Sequence, residues 1–328
     1  MKFIQPSVEY WPQTNVIEHI AKVGRICYKT QGAQPDETLT DAERAQFLME
    51  RDKKRCKGFW DSGHKSMYRH GSVYFFVPNQ DRLPGFVWGY FDACPYMEYT
   101  TKGRSVWIST NMQFLSEQPK VRTALDKYWV EEQDFIKIAL DKHYPEALIL
   151  LRMTFVVTTQ ISTSRELNRT SPNAIAEQST RYVNLKNKGG VQICTPHWYQ
   201  GLNEDGAPAP SPSASPSGSA AFQAAPSLPP FKHFLARLAF RAGCKFSEWM
   251  YRALLALGLK PQDARGILPI DTYTIVAYTY SIQEWNHIID LRYHGTTGKP
   301  HPNARIAASQ IRDQINTHLA ALGTTITL

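Results

Sequence analysis

A chain of 328 residues with 42% hydrophobic content can bury one large core or two ordinary ones, and it reads as a globular protein. Its net charge of +8 and pI near 9.1 favour anionic partners such as phosphorylated small molecules; the Lys and Arg residues are spread along the chain without a nucleic-acid motif, so nucleic acid is not expected. The opening MKFIQPSVEYWPQ has no apolar run of signal length, and the most apolar stretch, 147–161, is broken by Arg152, so no membrane segment is expected and a cytoplasmic location is.

In chain order, 14–28 and 40–56 carry helical patterning, with Asp41 as the expected cap of the second. Within the latter, the basic run Arg51 to Lys57 (RDKKRCK) reads as a solvated helix face. The stretch 71–78 (GSVYFFVP) is rich in β-branched and aromatic residues and is expected as a strand, as are part of 85–91 and 105–109. Helix is expected over about 120–141, while 145–168 fits either a helix or a strand around 153–159. Residues 203–230, rich in Pro, Ser and Ala and nearly uncharged, form a low-complexity tract that cannot bury enough apolar surface to offset its ordering entropy. Helical spacing returns over 232–257, stopping at Gly258 with Pro261 beyond, and a last helical pair is expected over 272–292 and 302–322.

The densest polar run is Arg169 to Tyr182 (RTSPNAIAEQSTRY). Pro172 disfavours helix at Ser171, so a helix end turns sharply there before the chain extends through Glu177. Arginine forks with Ser179 and Thr180 suit a phosphorylated, ring-bearing ligand; a polar surface turn is the plain alternative. Three further patches accompany it: 63–70 (GHKSMYRH) before a strand, 264–269 (ARGILP), and 285–292 (WNHIIDLR). The spacing of His64 and His70, with no third ligand in register, argues against a metal, and the five scattered cysteines, Cys27, Cys56, Cys94, Cys194 and Cys244, read as reduced thiols. Ser179 as a covalent nucleophile has no recognisable base beside it.

Together, in this order, these patches resemble the flavin-dependent thymidylate synthases, the ThyX family. Its signature, Arg-His-Arg, seven residues, then Ser, is matched by Arg169-Thr170-Ser171 and Ser179, with Glu177, Arg181 and Tyr182 in place. GHKSMYRH resembles the family's Gly-His-x-Ser/Thr segment, ARGILP its Ala-Arg-x-x-Leu-Pro element, and Arg25-Ile26-Cys27 its early Arg-x-Ser/Cys segment; the resemblance skips 203–230, which is therefore expected to be an insertion in a single domain over 1–328. The resemblance implies an α+β fold with a mainly antiparallel sheet flanked by helices. It also implies FAD-dependent C5-methylation of a uridine mononucleotide, with methylenetetrahydrofolate and NADPH as co-substrates, on a homotetramer with sites shared between subunits.

Carried over by position, Arg292, Arg169 and Ser179 are the expected catalytic residues, and Glu166, Glu177, Thr180, Arg181 and Arg265 join them in holding the nucleotide. Cys27, His64, Ser66, Arg69, His70, Thr170, Ser171, Ser281, Gln283, His287, Leu291 and His301 are expected along the flavin. Thr170 and Ser171 replace the signature's His and Arg, Arg69 replaces a Glu, and Ser281 and Gln283 replace Asn and Arg. The nucleotide side is thus better kept than the flavin side, as in a specialised branch of the family that methylates UMP for nucleoside-antibiotic synthesis. UMP and dUMP are not distinguished by the sequence. A homologue that binds nucleotide without turnover, or a basic RNA-binding protein, would be the competing readings.

Overall fold

The structure, a computed structural model, describes residues 1–28, 32–169, 174–179, 190–200 and 229–328. Thr170, Ser171, Thr180, Arg181 and residues 203–228 of the low-complexity tract lie outside them. The elements run β1 (Lys2–Ile4), β2 (Ser7–Trp11), α1 (Val16–Tyr28), α2 (Asp41–Asp61), β3 (Ser72–Val77), α3 (Gly85–Ala93), β4 (Glu98–Lys102), β5 (Ser105–Asn111), α4 (Met112–Glu117), α5 (Pro119–Leu125), β6 (Trp129–Val130) and α6 (Glu132–Asp141). They continue with β7 (Arg152–Gln160), α7 (Ile161–Leu167), β8 (Ile175–Glu177), β9 (Gln192–Cys194), α8 (His197–Gln200), α9 (Pro230–Ala256), α10 (Pro261–Ala264), β10 (Tyr273–Ser281), α11 (Ile282–Ile289) and α12 (Pro302–Ala321).

The fold is α+β, and its strands are mainly antiparallel. They divide into two four-stranded sheets, β2-β7-β10-β8 and β4-β5-β3-β6, plus the parallel pair β1-β9. The longest ladder joins β7 to β10 from Arg152↔Ser281 to Gln160↔Tyr273. Alternation along these strands sends Met153, Phe155, Val157, Val276, Tyr278 and Tyr280 into the largest core, shared with residues of α6, α11 and α12. The opposite face, through Val156 and Ala277, packs against α1 and α2. Those two helices approach closely because Gly24 has no side chain: a Cβ there would lie 2.3 Å from the Phe59 ring.

Several expected elements changed type. Residues 85–91 form helix, not strand, because Val87 and Phe91, four apart, are buried while Phe86 is exposed: the apolar period is helical. The segment 145–168 resolves into a 3-10 turn, then β7 and α7. The helix expected over 272–292 is strand as far as Ser281, since Tyr273 to Ser281 pairs residue by residue with β7. The helix expected over about 120–141 is broken at Trp129-Val130, which pair with Phe75 and Tyr74. At the start of α2 the cap is Thr40, not Asp41: Glu43 N donates to Thr40 Oγ1 while Thr40 N donates to Glu43 Oε2. Pro230 already belongs to α9, so its first turn begins inside the expected insertion.

Some of the polar groups buried between the elements are linked in chains. His19 Nε2 meets Thr154 Oγ1 at 2.8 Å, Thr154 meets Thr279 Oγ1 at 2.7 Å, and Thr279 meets His70 Nδ1 at 2.8 Å, all on the α1 side of the sheet. Burial pushes His19 down to about 4 and His70 to about 3, so both rings are neutral at physiological pH. On the other side Tyr74 donates to Glu132 at 3.2 Å and accepts from the Arg152 amide at 2.9 Å.

Burial raises the Glu132 carboxyl from an ordinary 4.5 to about 7. Between those values the folded chain keeps a proton that the unfolded chain has released, so this group's contribution to stability falls as pH rises through the window. Glu132→Gln should therefore gain on the wild type by roughly 1–3 kcal/mol between pH 4.5 and pH 8 in denaturant unfolding. Parallel profiles for the two proteins would contradict this.

Candidate active site

At the Gln160–Tyr273 end of the long ladder, α7 leaves β7 while the chain entering β10 arrives through Arg265 to Ile270. Between them and the segment after β8 lies a cavity of about 600 Å³. Ile161, Ser164 and Arg165 line it from the first turns of α7, Glu177 to Ser179 from the chain at β8, and Arg265 to Ile270 from the third side. Sequence-distant residues expected to hold a nucleotide, Glu177, Ser179 and Arg265, are thus brought together.

Each wall is fixed. Glu177 Oε1 accepts from Ser164 Oγ at 2.9 Å and from Thr274 Oγ1 at 3.0 Å, so two hydroxyls aim the carboxylate. The Gln178 amide donates to Ile275 O at 2.9 Å, and the Ser179 amide to Cys27 O at 3.0 Å. Arg265 starts a 3-10 turn after buried Ala264, and its carbonyl accepts the Leu268 amide. A cavity with Arg165 and Arg265 on its walls and one oriented carboxylate can hold an anion at one place and hydrogen-bond a polar ring at another.

Glu166, Arg169 and Arg292 form a second group on α7 and beyond its end. Arg292 lies in the π-helical turn 290–294 that continues α11. Its Nε donates to Glu166 O at 2.9 Å, and its Nη1 stands 3.7 Å from Glu166 Oε2. Arg169, largely exposed, places Nη1 3.8 Å from Glu166 Oε1. One carboxylate therefore sits between two guanidiniums through long contacts, while Arg292 is anchored by the backbone.

A family model described as thymidylate synthase complementing protein matches residues 97–319, from β4 to the end of α12. The chain belongs to that family, the flavin-dependent thymidylate synthases. Among solved structures, the UMP/dUMP methylase PolB from Streptomyces cacaoi bound with 5-Br UMP is similar at 19% identity, covering 58% of this chain and 76% of that one with a TM-score of 0.40. The same enzyme bound with 5-Br dUMP gives 20% identity, 57% and 77% coverage, and a TM-score of 0.41. No curated protein matches by sequence.

The residues that the thymidylate synthase resemblance assigned to the flavin are dispersed. His64 and Ser66 are exposed at the 3-10 turn 65–70, and Arg69 there donates to Gln113 Oε1 at 2.7 Å and lies over Tyr96. Gln283 and His287 are exposed on α11, Leu291 is half-buried one turn on, and exposed His301 caps α12 by accepting from the Asn303 amide at 3.3 Å. His70 and Ser281 face inward: His70 ends the buried histidine-threonine chain, and Ser281 caps α11 and donates to Glu98 Oε1 at 2.8 Å. Cys27 stays a thiol, since burial pushes it up to about 11. All five cysteines are free.

Sequence reasoning missed Ser164, Arg165 and Gln178. The undecided helix or strand over 145–168 hid the first two; once α7 is drawn, residues 161, 164 and 165 fall on the face of one turn. Among the described residues no group of three His, Cys, Asp or Glu side chains is placed to hold a metal, and no helix is long and apolar enough to cross a membrane.

Proposed function

We propose that this protein methylates C5 of a uridine mononucleotide, UMP or dUMP, with bound FAD and with methylenetetrahydrofolate and NADPH as co-substrates. The observation that carries the reading is the convergence of Glu177, Ser179 and Arg265 on one cavity, in a chain of this family. Arg165 and Arg265 supply the forks for a phosphate, and Glu177 accepts from a ring N–H or a sugar hydroxyl. Uracil C5 is a weak nucleophile until negative charge on the ring is stabilised, which is the role assigned to Arg292, with Arg169 beside it. Glu166 holds both arginines until a ligand offers them a better acceptor. A pocket that binds dUMP rejects an added 2′-hydroxyl only weakly, so UMP fits the same reading.

The exposed donors and acceptors His64, Ser66, Gln283, His287 and His301, with Leu291, have the chemistry to hold FAD, which when bound supplies the reducing equivalents for the methyl group. His70 and Ser281 would act from behind, by fixing the turn 65–70 and the start of α11. Assembly as a homotetramer with shared sites is supported by α9. Phe231, Phe234, Leu235, Leu238, Phe246 and Trp249 are exposed along this helix, and exposed Ile267 and Ile270 continue the apolar surface to the cavity rim.

Purified protein should be yellow and should release tritium from C5-labelled UMP or dUMP when FAD, methylenetetrahydrofolate and NADPH are present. Colourless protein that releases none after FAD is added would sink the proposal, and binding without turnover would point to a nucleotide-binding homologue. Arg292→Ala should lower kcat by about a hundredfold or more while nucleotide Kd changes only a few-fold. A variant retaining most of its turnover would remove Arg292 from the chemistry.

A further inference from the structure

The basic run 51–57, expected as a solvated helix face, is split by the fold. Lys53, Lys54 and Lys57 are exposed, whereas Arg51 and Arg55 are half-buried and Asp52 is buried. Arg51 and Arg55 are one turn apart on α2, and Arg25 reaches the same place from α1. Arg25 Nη2 pairs with Asp52 Oδ1; Arg51 takes the same carboxylate with Nε at 2.9 Å and Nη2 at 3.2 Å, and its Nη1 donates to Ala33 O at 2.9 Å. Among the described residues Arg55 has no ion pair, and the buried Nε of Arg25 has no hydrogen-bond partner. Gly32, at φ +80°, passes over that Nε: a Cβ there would lie 3.5 Å from it.

The charges do not balance. Arg25 and Arg51 share one carboxylate and Arg55 stands near them, leaving two positive charges unmatched in a half-buried place where water screens them poorly. Burial, and then the neighbouring Arg25, disfavour the charged form of Arg55, as expected for a cation crowded by its own kind. A singly charged carboxylate ligand would neutralise half of the excess. A dianion with several oxygens matches both the charge and the planar forks.

We propose that Arg25, Arg51 and Arg55 form a binding site for a phosphate dianion, carried as a phosphomonoester or a diphosphate and distinct from the cavity lined by Arg265. It adjoins that cavity, because Arg25 lies two residues before Cys27, whose carbonyl accepts the Ser179 amide. The site rests on the charge geometry alone; only the identity of the molecule that brings the phosphate depends on the function proposed above.

The test is calorimetric titration of the full-length protein with inorganic pyrophosphate. Saturable binding is expected, weakened about tenfold or more in Arg55→Gln and unchanged in Lys54→Gln. Arg55→Lys, which keeps the charge but not the fork, should fall between wild type and Arg55→Gln, and thermal unfolding checks that each variant folds. Displacement of pyrophosphate by NADPH but not NADH would assign a 2′-phosphate, displacement by both a dinucleotide diphosphate, and displacement by neither a free anion; each supports the site. Absence of saturable binding, equal affinity in wild type and Arg55→Gln, or loss in Arg265→Gln in place of Arg55→Gln would overturn it.

Discussion

The pairing of β7 with β10 is the constraint on which the rest depends. Nine residues on each strand are held in one register, from Arg152↔Ser281 to Gln160↔Tyr273. A slip by one residue would exchange the core-facing Phe155 and Tyr278 for the Thr154 and Thr279 hydroxyls, which are needed on the other face to link His19 with His70. The ladder also decides what meets at its ends. At one end α7 and the 265–270 turn come together around the cavity; at the other, α11 starts at Ser281 against Glu98 and Arg152.

That second end carries its own electrostatic tension. Burial, and then the neighbouring Glu284, raise the Glu98 carboxyl to about 7, although Arg152 and the Ser281 hydroxyl favour its charged form. Gln283, exposed beside it, lines a shallow depression with Glu98, Cys94 and Tyr99. At the start of α11 a buried carboxylate capable of titrating near neutral pH therefore stands directly behind Ser281.

How much of this the sequence could disclose varied with the physics of each signal. Motif order gave the family and the residues Glu177, Ser179 and Arg265, because each sits on a short stretch whose local pattern survives without its neighbours. The strand at 273–281 was hidden because YTIVAYTYS runs without a break into helical WNHII, yet Ser281 and Glu284 form a capping box three residues apart that marks the boundary. Arg165 was hidden by the same ambiguity one strand earlier. The inward turn of Arg51 and Arg55 could not be read from RDKKRCK at all, since it depends on Arg25 arriving from another helix to share Asp52. Charge composition shows that basic residues are present; only packing shows which of them lack a counter-ion.

The central proposal is that the uridine nucleotide binds in the cavity between α7, the β8 segment and the 265–270 turn. A crystal structure of the protein with UMP addresses it directly. The nucleotide should lie in that cavity, with phosphate oxygens within hydrogen-bond distance of Arg165 or Arg265 and the Glu177 carboxylate on the ring or the sugar. A nucleotide bound elsewhere, with the cavity walls untouched, would contradict it.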